Sequence, residues 1–207
     1  MFISFEGIDF SGKSTQCRLA VAHLESRGRR VHALREPGGT DVSEAIRAVL
    51  LDTRFHGLDP VAELLLFSAA RAQLVRERLR PEIDGGSVIV ADRFLDSTTA
   101  YQGYGRGLDR TAIGHVHALA TDGLIPDLTI LIDINVDVSL ERRARQQRSI
   151  DRMESADHAF FIRVRNGYLE LAAMHPDRFR VLDGMRPISS IAEEVGSLLD
   201  TLLETTP

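Results

Sequence analysis

Short unbroken apolar runs alternate along the chain with longer stretches whose apolar positions recur every three or four residues. Met1–Glu6 (MFISFE) is the first such run, and Gly7 ends it, so it predicts a buried strand. Equivalent runs predict strands over Val31–Arg35, Val88–Ala91 after the Gly85-Gly86 turn, Leu128–Ile134 after Pro126, and Arg178–Leu182. Helical spacing predicts helices over Ser14–Arg27, with Gly28 as the stop, then Asp41–Leu51, Pro60–Leu79, Asp109–Thr121, Val138–Arg145, Asp157–Met174 and Ile188–Leu203. Near-continuous apolar strands separated by helices imply a parallel sheet covered on both faces. There is no internal repeat, low-complexity tract or linker. Residues 1–207 therefore read as one doubly wound α/β domain, a mostly parallel five-stranded sheet flanked by helices.

Composition narrows the function. The 207 residues are 43% hydrophobic and 27% charged, with a net charge of -5, an ordinary balance for a folded chain. Mild acidity argues against a nucleic-acid binder, which would show a basic face. No apolar run is long enough to span a bilayer, and the first residues lack the regions of a signal peptide. The single cysteine, Cys17, excludes an internal disulfide and fits a reducing compartment, so a cytoplasmic protein is expected. The seven histidines show no ligand spacing. The most telling count is that 24 of the 25 cationic residues are arginine and the remaining one is Lys13. Arginine is a planar fork, whereas lysine is a compact point charge on a thin stem. The one place that keeps lysine is a place where a cation must slip between crowded anionic oxygens.

That place is Gly7-Ile8-Asp9-Phe10-Ser11-Gly12-Lys13-Ser14, followed by Thr15, between the first predicted strand and the first predicted helix. The spacing is G-x-x-x-x-G-K-[ST], the phosphate loop. Its glycines let the backbone curl so that successive N–H groups form an anion nest, and the following helix adds its positive end. Lys13 would reach the β- and γ-phosphates of a bound nucleoside triphosphate, and the Ser14 hydroxyl would ligate Mg²⁺. A GTP-dependent switch would need a second lysine to read guanine, and the chain has none. A small-molecule kinase that closes over donor and acceptor fits the length, with one nucleoside monophosphate, a different one or another small molecule open as the acceptor; a non-catalytic ATP-binding module is the alternative from another class.

Further stretches bear on the acceptor. Asp92 and Arg93 end the apolar strand at the carboxyl side, where parallel sheets place ligands, and suit a Mg²⁺ contact and a phosphoryl clamp. Phe67 and Arg71 are four apart on one helical face, an aromatic plane beside a forked donor. Ser97–Tyr104 clusters hydroxyls with Tyr101 and Gln102, and Arg35–Thr40 (REPGGT) precedes a helix bearing Arg47.

Taken in order, REPGGT, FSAARAQ, DRFLDSTTAYQGYGRGL, IDRME and FFIRVRNGYLELA resemble the bacterial thymidylate kinases, from the phosphate loop to about Ala172. The resemblance implies a P-loop NTPase fold with a lid, Mg·ATP as phosphoryl donor, dTMP as acceptor and a homodimer. It implies that thymine stacks on Phe67, that Arg71 reads its O4 edge, and that Thr98 and Gln102 meet the polar edge of the ring. Tyr101 would crowd the 2′ position, and Asp9 would meet the 3′-hydroxyl or the metal shell. Arg47 and Arg93 would hold the acceptor phosphate, and Glu36-Pro37 would form the turn beside it, a turn that in this family can carry a cis proline. The loop itself carries no arginine, so transition-state charge is expected from a lid at about 141–153 (within ERRARQQRSIDR), with Arg145 and Arg148 first and Arg143 next. Glu154 and the Phe160–Leu171 stretch read as packing and lid support. No side-chain base is required, because the acceptor is already an anionic oxygen.

Overall fold

The computed structural model describes residues 1–146 and 149–205. The strands are β1 (Phe2–Glu6), β2 (Val31–Arg35), β3 (Val88–Asp92), β4 (Leu128–Asp133) and β5 (Phe179–Asp183). They pair in the order β2-β3-β1-β4-β5, and every pairing is parallel. The expected mostly parallel sheet is thus wholly parallel. The helices are α1 (Lys13–Ser26), α2 (Asp41–Leu51), α3 (Pro60–Leu74), α4 (Arg80–Asp84), α5 (Leu95–Thr98), α6 (Arg110–Thr121), α7 (Val136–Ala144), α8 (His158–Met174) and α9 (Ile188–Thr205).

Helix starts follow from caps written in the sequence. Thr40, Asp59, Asp109, Asn135 and Asp157 each accept a hydrogen bond from a backbone N–H of the first turn of α2, α3, α6, α7 and α8. Pro60 adds a preset φ at the first position of α3. The long helix expected over Pro60–Leu79 departs from α geometry at Val75–Leu79, a π turn that runs into α4. Pro81 has no N–H to give to Glu77 and its ring crowds that carbonyl, so the helix widens just before it. A second π segment, Thr99–Gly105, extends α5 where the sequence shows only a cluster of hydroxyls.

Three apolar clusters hold the layers. Phe5, Leu24, Val90, Ile130 and Leu199 lock α1 and α9 onto one face. Leu131, Phe160, Phe161 and Tyr168 lock α8 against the π segment. Phe2, Leu74, Leu79, Ile89 and Phe94 seat the end of α3. These clusters aim the carboxyl ends of β1 and β3 at a common opening, with Gly7 following one strand and Asp92 ending the other. Among the described residues, no helix is long and apolar enough to cross a membrane.

Candidate active site

The loop after β1 is built as its spacing predicts. Gly7 has φ 142 and lies so close to β4 that a Cβ there would meet the Ile132 carbonyl oxygen at 2.5 Å. Gly12, at φ 97, turns the chain into α1, and its carbonyl accepts from the N–H groups of Thr15 and Gln16. Phe10 also takes a positive φ of 60, an uncommon conformation for a bulky residue. Lys13 is 6% exposed, with Nζ donating to the Ile8 carbonyl at 3.4 Å. Burial, and then the charge of Arg93, lower its pKa.

Two cavities meet at this loop. One, of about 420 Å³, runs along Phe10, Gly12, Lys13, Ser14 and Thr15 and is flanked by Arg142. The other, of about 260 Å³, is lined by Glu36, Arg47, Phe67, Arg71, Thr98, Tyr101 and Gln102, together with Asp92 and Arg93. Asp9, Lys13 and Ser14 line both. Ser14 Oγ donates a short hydrogen bond to Asp92 Oδ2, so the two hard oxygen ligands expected for a metal are side by side. Magnesium binds through few carboxylates and keeps waters and phosphate oxygens as its other ligands, and this pair fits such a site.

Around Asp9 the site is tightly wired. Arg93, itself at φ 75, donates from Nη2 to Asp9 Oδ1 at 2.6 Å and to the Tyr101 hydroxyl at 3.1 Å. Its Nη1 donates to Gly7 O, Ser97 Oγ and Tyr168 Oη. Tyr101 completes the cage, donating to Asp9 Oδ2 at 2.8 Å. Burial pushes the Asp9 carboxyl up, but Arg93, Lys13 and Tyr101 outweigh it and hold the group below the ordinary range. Asp9 is therefore an anion with fixed orientation, held by Nη2 of Arg93 while Nη1 ties that guanidinium to Gly7, Ser97 and Tyr168.

At the other end of the cleft, Arg71 is 2% exposed. It donates from Nε to Glu36 Oε2 at 2.8 Å and from Nη2 to Thr98 Oγ1 at 3.0 Å. Among the described residues, Arg71 Nη1 and Glu36 Oε1 are buried without a hydrogen-bond partner. Buried donors and acceptors are rarely left so, and an unpaired one beside a cleft points to a ligand. Burial pushes the Glu36 carboxyl up, opposed by the paired guanidinium. The Glu36-Pro37 bond is cis, as the resemblance allows, and Arg47 Nη1 donates to the Pro37 carbonyl at 2.8 Å. Phe67 is half-buried on the same wall.

The arginine-rich stretch behaves less uniformly than its sequence implies. Arg145 is exposed and pairs with Glu141, one turn back on α7, rather than reaching the loop. Arg143 donates to the Glu154 carbonyl. Arg148 lies outside the described residues. Among the described residues of the stretch, the arginine that reaches the loop is Arg142, whose Nη1 donates to the carbonyls of Phe10 and Ser11 and whose Nη2 donates to the Gly184 carbonyl. Arg152, at the far end, is buried against Glu63 and the Leu50 carbonyl, so that end of the stretch is anchored.

Three buried residues escape a reading of the sequence alone. Glu6 is fully buried at the end of β1, accepting from Phe94 N–H, Ser97 Oγ and Tyr168 Oη. Burial, reinforced by the nearby charge of Asp96, pushes its carboxyl up to about 7. Its only sequence signal is an ionisable residue ending an apolar run. Tyr168 sits in the apolar stripe of α8, and nothing in that stripe announces that its hydroxyl touches both Glu6 and Arg93. Glu63 is legible in principle, since Glu63, Phe67 and Arg71 follow one another at intervals of four along α3.

Comparison with known proteins is consistent with this geometry. The family model described as thymidylate kinase matches residues 5–195. The thymidylate kinase of Kosmotoga olearia is 48% identical over 195 residues, covering 94% of this chain and 93% of the relative. That of Chlorobium chlorochromatii is 44% identical over 214 residues, covering 99% and 96%. Among solved structures, a crystal structure of thymidylate kinase from Ehrlichia chaffeensis superposes with a TM-score of 0.78 at 36% identity, covering 97% of this chain and 98% of that one.

Proposed function

The chain belongs to the thymidylate kinase family, and from that premise we propose how its side chains carry the γ-phosphoryl group of ATP to dTMP, giving ADP and dTDP. The observation that carries the reading is the pair of cavities that adjoin at Asp9, Lys13 and Ser14. A donor held along Gly7–Thr15 and an acceptor held against Phe67 would bring their phosphates together at that junction.

Both substrates are anions, and the chain as a whole is acidic, so their repulsion must be offset locally. Lys13, Arg47 and Arg93 supply positive charge at the junction. Lys13 is the group suited to lie between β- and γ-phosphate oxygens. Arg93 adds charge on the acceptor side while fixing Asp9, whose remaining lone pairs can accept from a sugar hydroxyl. Phe67 offers a stacking surface for the base, and the unpaired Arg71 Nη1 a donor for a ring carbonyl. Thr98 and Gln102 lie along the polar edge, and Tyr101 fills the space beside the sugar. Ser14 and Asp92 would hold Mg²⁺, which when bound neutralises the transferring phosphoryl group. Transfer then needs alignment and charge stabilisation rather than a proton acceptor.

Residues 141–153 act as a lid on this single domain, with Arg145 and Arg148 delivering charge on closure while Arg142 already grips the loop and Arg152 holds the hinge. A homodimer is part of the proposal, supported by the exposed apolar residues Val61 and Leu65 on α3 and Leu119 on the adjacent α6. A cytoplasmic location is supported by the buried free thiol of Cys17. A coupled assay of ADP release with dTMP, dUMP, dCMP and shikimate tests the reading. dTMP should be the fastest acceptor; a rate no better than the others, or no acceptor-dependent ADP at all, would defeat it.

A further inference from the structure

Below the base end of the cleft lies a buried charge cluster centred on Glu63, a residue to which phosphoryl transfer gives no role. Glu63 on α3 is fully buried. Its Oε1 accepts from Gln102 Nε2 at 2.8 Å and from Arg106 Nε at 3.2 Å. Its Oε2 accepts from Arg106 Nη2 at 3.2 Å and from Arg152 Nη1 at 2.5 Å. Burial pushes this carboxyl up, but the hydrogen bonds from Arg106, Gln102 and Arg152 more than offset it, so the group is a carboxylate.

A carboxylate only accepts hydrogen bonds, whereas a primary amide has a donating end and an accepting end. Gln102 therefore has one allowed orientation, with its –NH₂ on Glu63 and its carbonyl oxygen on the other side. The choice is fixed by chemistry, although oxygen and nitrogen of an amide have the same shape. Gln102 is 1% exposed and lines the cleft, as does Arg71 with its unpaired Nη1 donor. Besides the unpaired Glu36 Oε1, the cleft thus offers a donor on Arg71 and an acceptor on Gln102, each of defined polarity.

We infer that Glu63 is a positioning residue for base specificity: by pinning the Gln102 amide, it makes the cleft present an acceptor alongside the Arg71 donor. That pattern complements a pyrimidine edge with a ring N–H next to a carbonyl. It opposes a ring with an unprotonated nitrogen next to an amino group, because two acceptors would then face each other and two donors would do the same. Arg106 and Arg152 serve the specificity indirectly by keeping Glu63 ionised. The inference rests on the cleft being the dTMP site.

Glu63→Gln tests it with an isosteric change. The two arginines would claim the oxygen of the introduced amide, leaving its –NH₂ facing Gln102. Gln102 would then turn its carbonyl toward that –NH₂ and its own –NH₂ toward the base. The comparison is kcat/KM for dTMP against 5-methyl-dCMP, which differ only along the edge in question. Both are measured on one preparation, so the ratio is independent of the folded fraction. The ratio should fall by about tenfold or more, the equivalent of one buried hydrogen bond. In a Gln102→Leu background, Glu63→Gln should change the ratio no further. A merely structural role would lower both rates and leave the ratio intact, which would overturn the inference. If Glu63→Gln does not fold, Gln102→Leu alone decides, since it leaves Glu63 its two arginines; an unchanged ratio overturns the inference. Failure of the wild-type protein to phosphorylate dTMP is a separate outcome that strikes the reading of the cleft itself. Normal dTMP turnover with an unaltered ratio in the variants strikes only the role of Glu63.

Discussion

Replacing Glu6 by glutamine isolates the energetic consequence of burying a carboxyl beneath the phosphate loop. In the fold its pKa stands at about 7, against 4.5 for a free glutamate, with burial as the main cause and Asp96 adding to it. The folded state therefore binds a proton more tightly than the unfolded chain. Stability from this group is fully present below pH 4.5 and is lost as pH rises through 7. A shift of this size corresponds to about 3 kcal/mol, at about 1.4 kcal/mol per pH unit within the window. Glutamine mimics the protonated form: its oxygen can accept from Phe94 N–H, and its –NH₂ can donate to the hydroxyls of Ser97 and Tyr168. Urea unfolding of wild type and Glu6→Gln, from about pH 5 to pH 8, gives the difference directly. The variant should gain on the wild type as pH rises, by up to about 3 kcal/mol, and the difference should level off at the alkaline end. A difference that is constant with pH, or that shrinks toward alkaline pH, would show that Glu6 is ionised throughout and refute the reasoning.

Other groups yield shorter tests. Lys13→Arg keeps the charge but not its shape, so kcat should fall by about a hundredfold or more, while full activity would refute the point-charge argument. Tyr168→Phe removes a hydroxyl that touches Glu6, Ser97 and Arg93, and should cost about 1–3 kcal/mol in denaturant unfolding. A neutral effect would mean that the network holds without α8. His117, bonded to Thr99, has its pKa lowered from 6.5 to about 3, chiefly by burial, so the fold disfavours its cation. Its contribution is present above pH 6.5 and is lost as pH falls toward 3, so His117→Gln should unfold less steeply with acid than wild type. Parallel acid-unfolding curves would contradict this.

The fold is largely legible in the sequence because each strand is a short apolar run and α2, α3, α6, α7 and α8 each start at a side-chain cap. VIVAD at β3 needs no tertiary information, since four of its five residues are fully buried and apolar. The loop is legible for a related reason: only glycine suits the close approach at Gly7, and only one lysine exists to place. What stays hidden is what long-range contacts decide. The π turns arise from the proline crowding before α4 and from packing against α8, and helical periodicity reports neither. Arg142 and Arg145 look alike in sequence, yet a difference of three positions at the end of α7 sends one to the phosphate loop and the other into solvent. Glu6 and Glu63 are acidic residues whose partners come from more than 30 residues away, so the sequence names none of those partners, although the spacing of Glu63 with Phe67 and Arg71 places it on the cleft face of α3. Arg93 reads in the sequence as a clamp for phosphoryl oxygens; that it also ties Asp9, Tyr101, Ser97 and Tyr168 together is decided by contacts that no local pattern reports.

The most direct measurement is a crystal structure with a non-hydrolysable ATP analogue, Mg²⁺ and dTMP bound together. The γ-phosphate should sit within hydrogen-bonding reach of Lys13 Nζ, with the thymine ring stacked on Phe67 and the acceptor phosphate facing the donor across Asp9. A triphosphate lodged away from the Gly7–Thr15 loop, or a thymine ring outside the Phe67–Arg71 cleft, would contradict it.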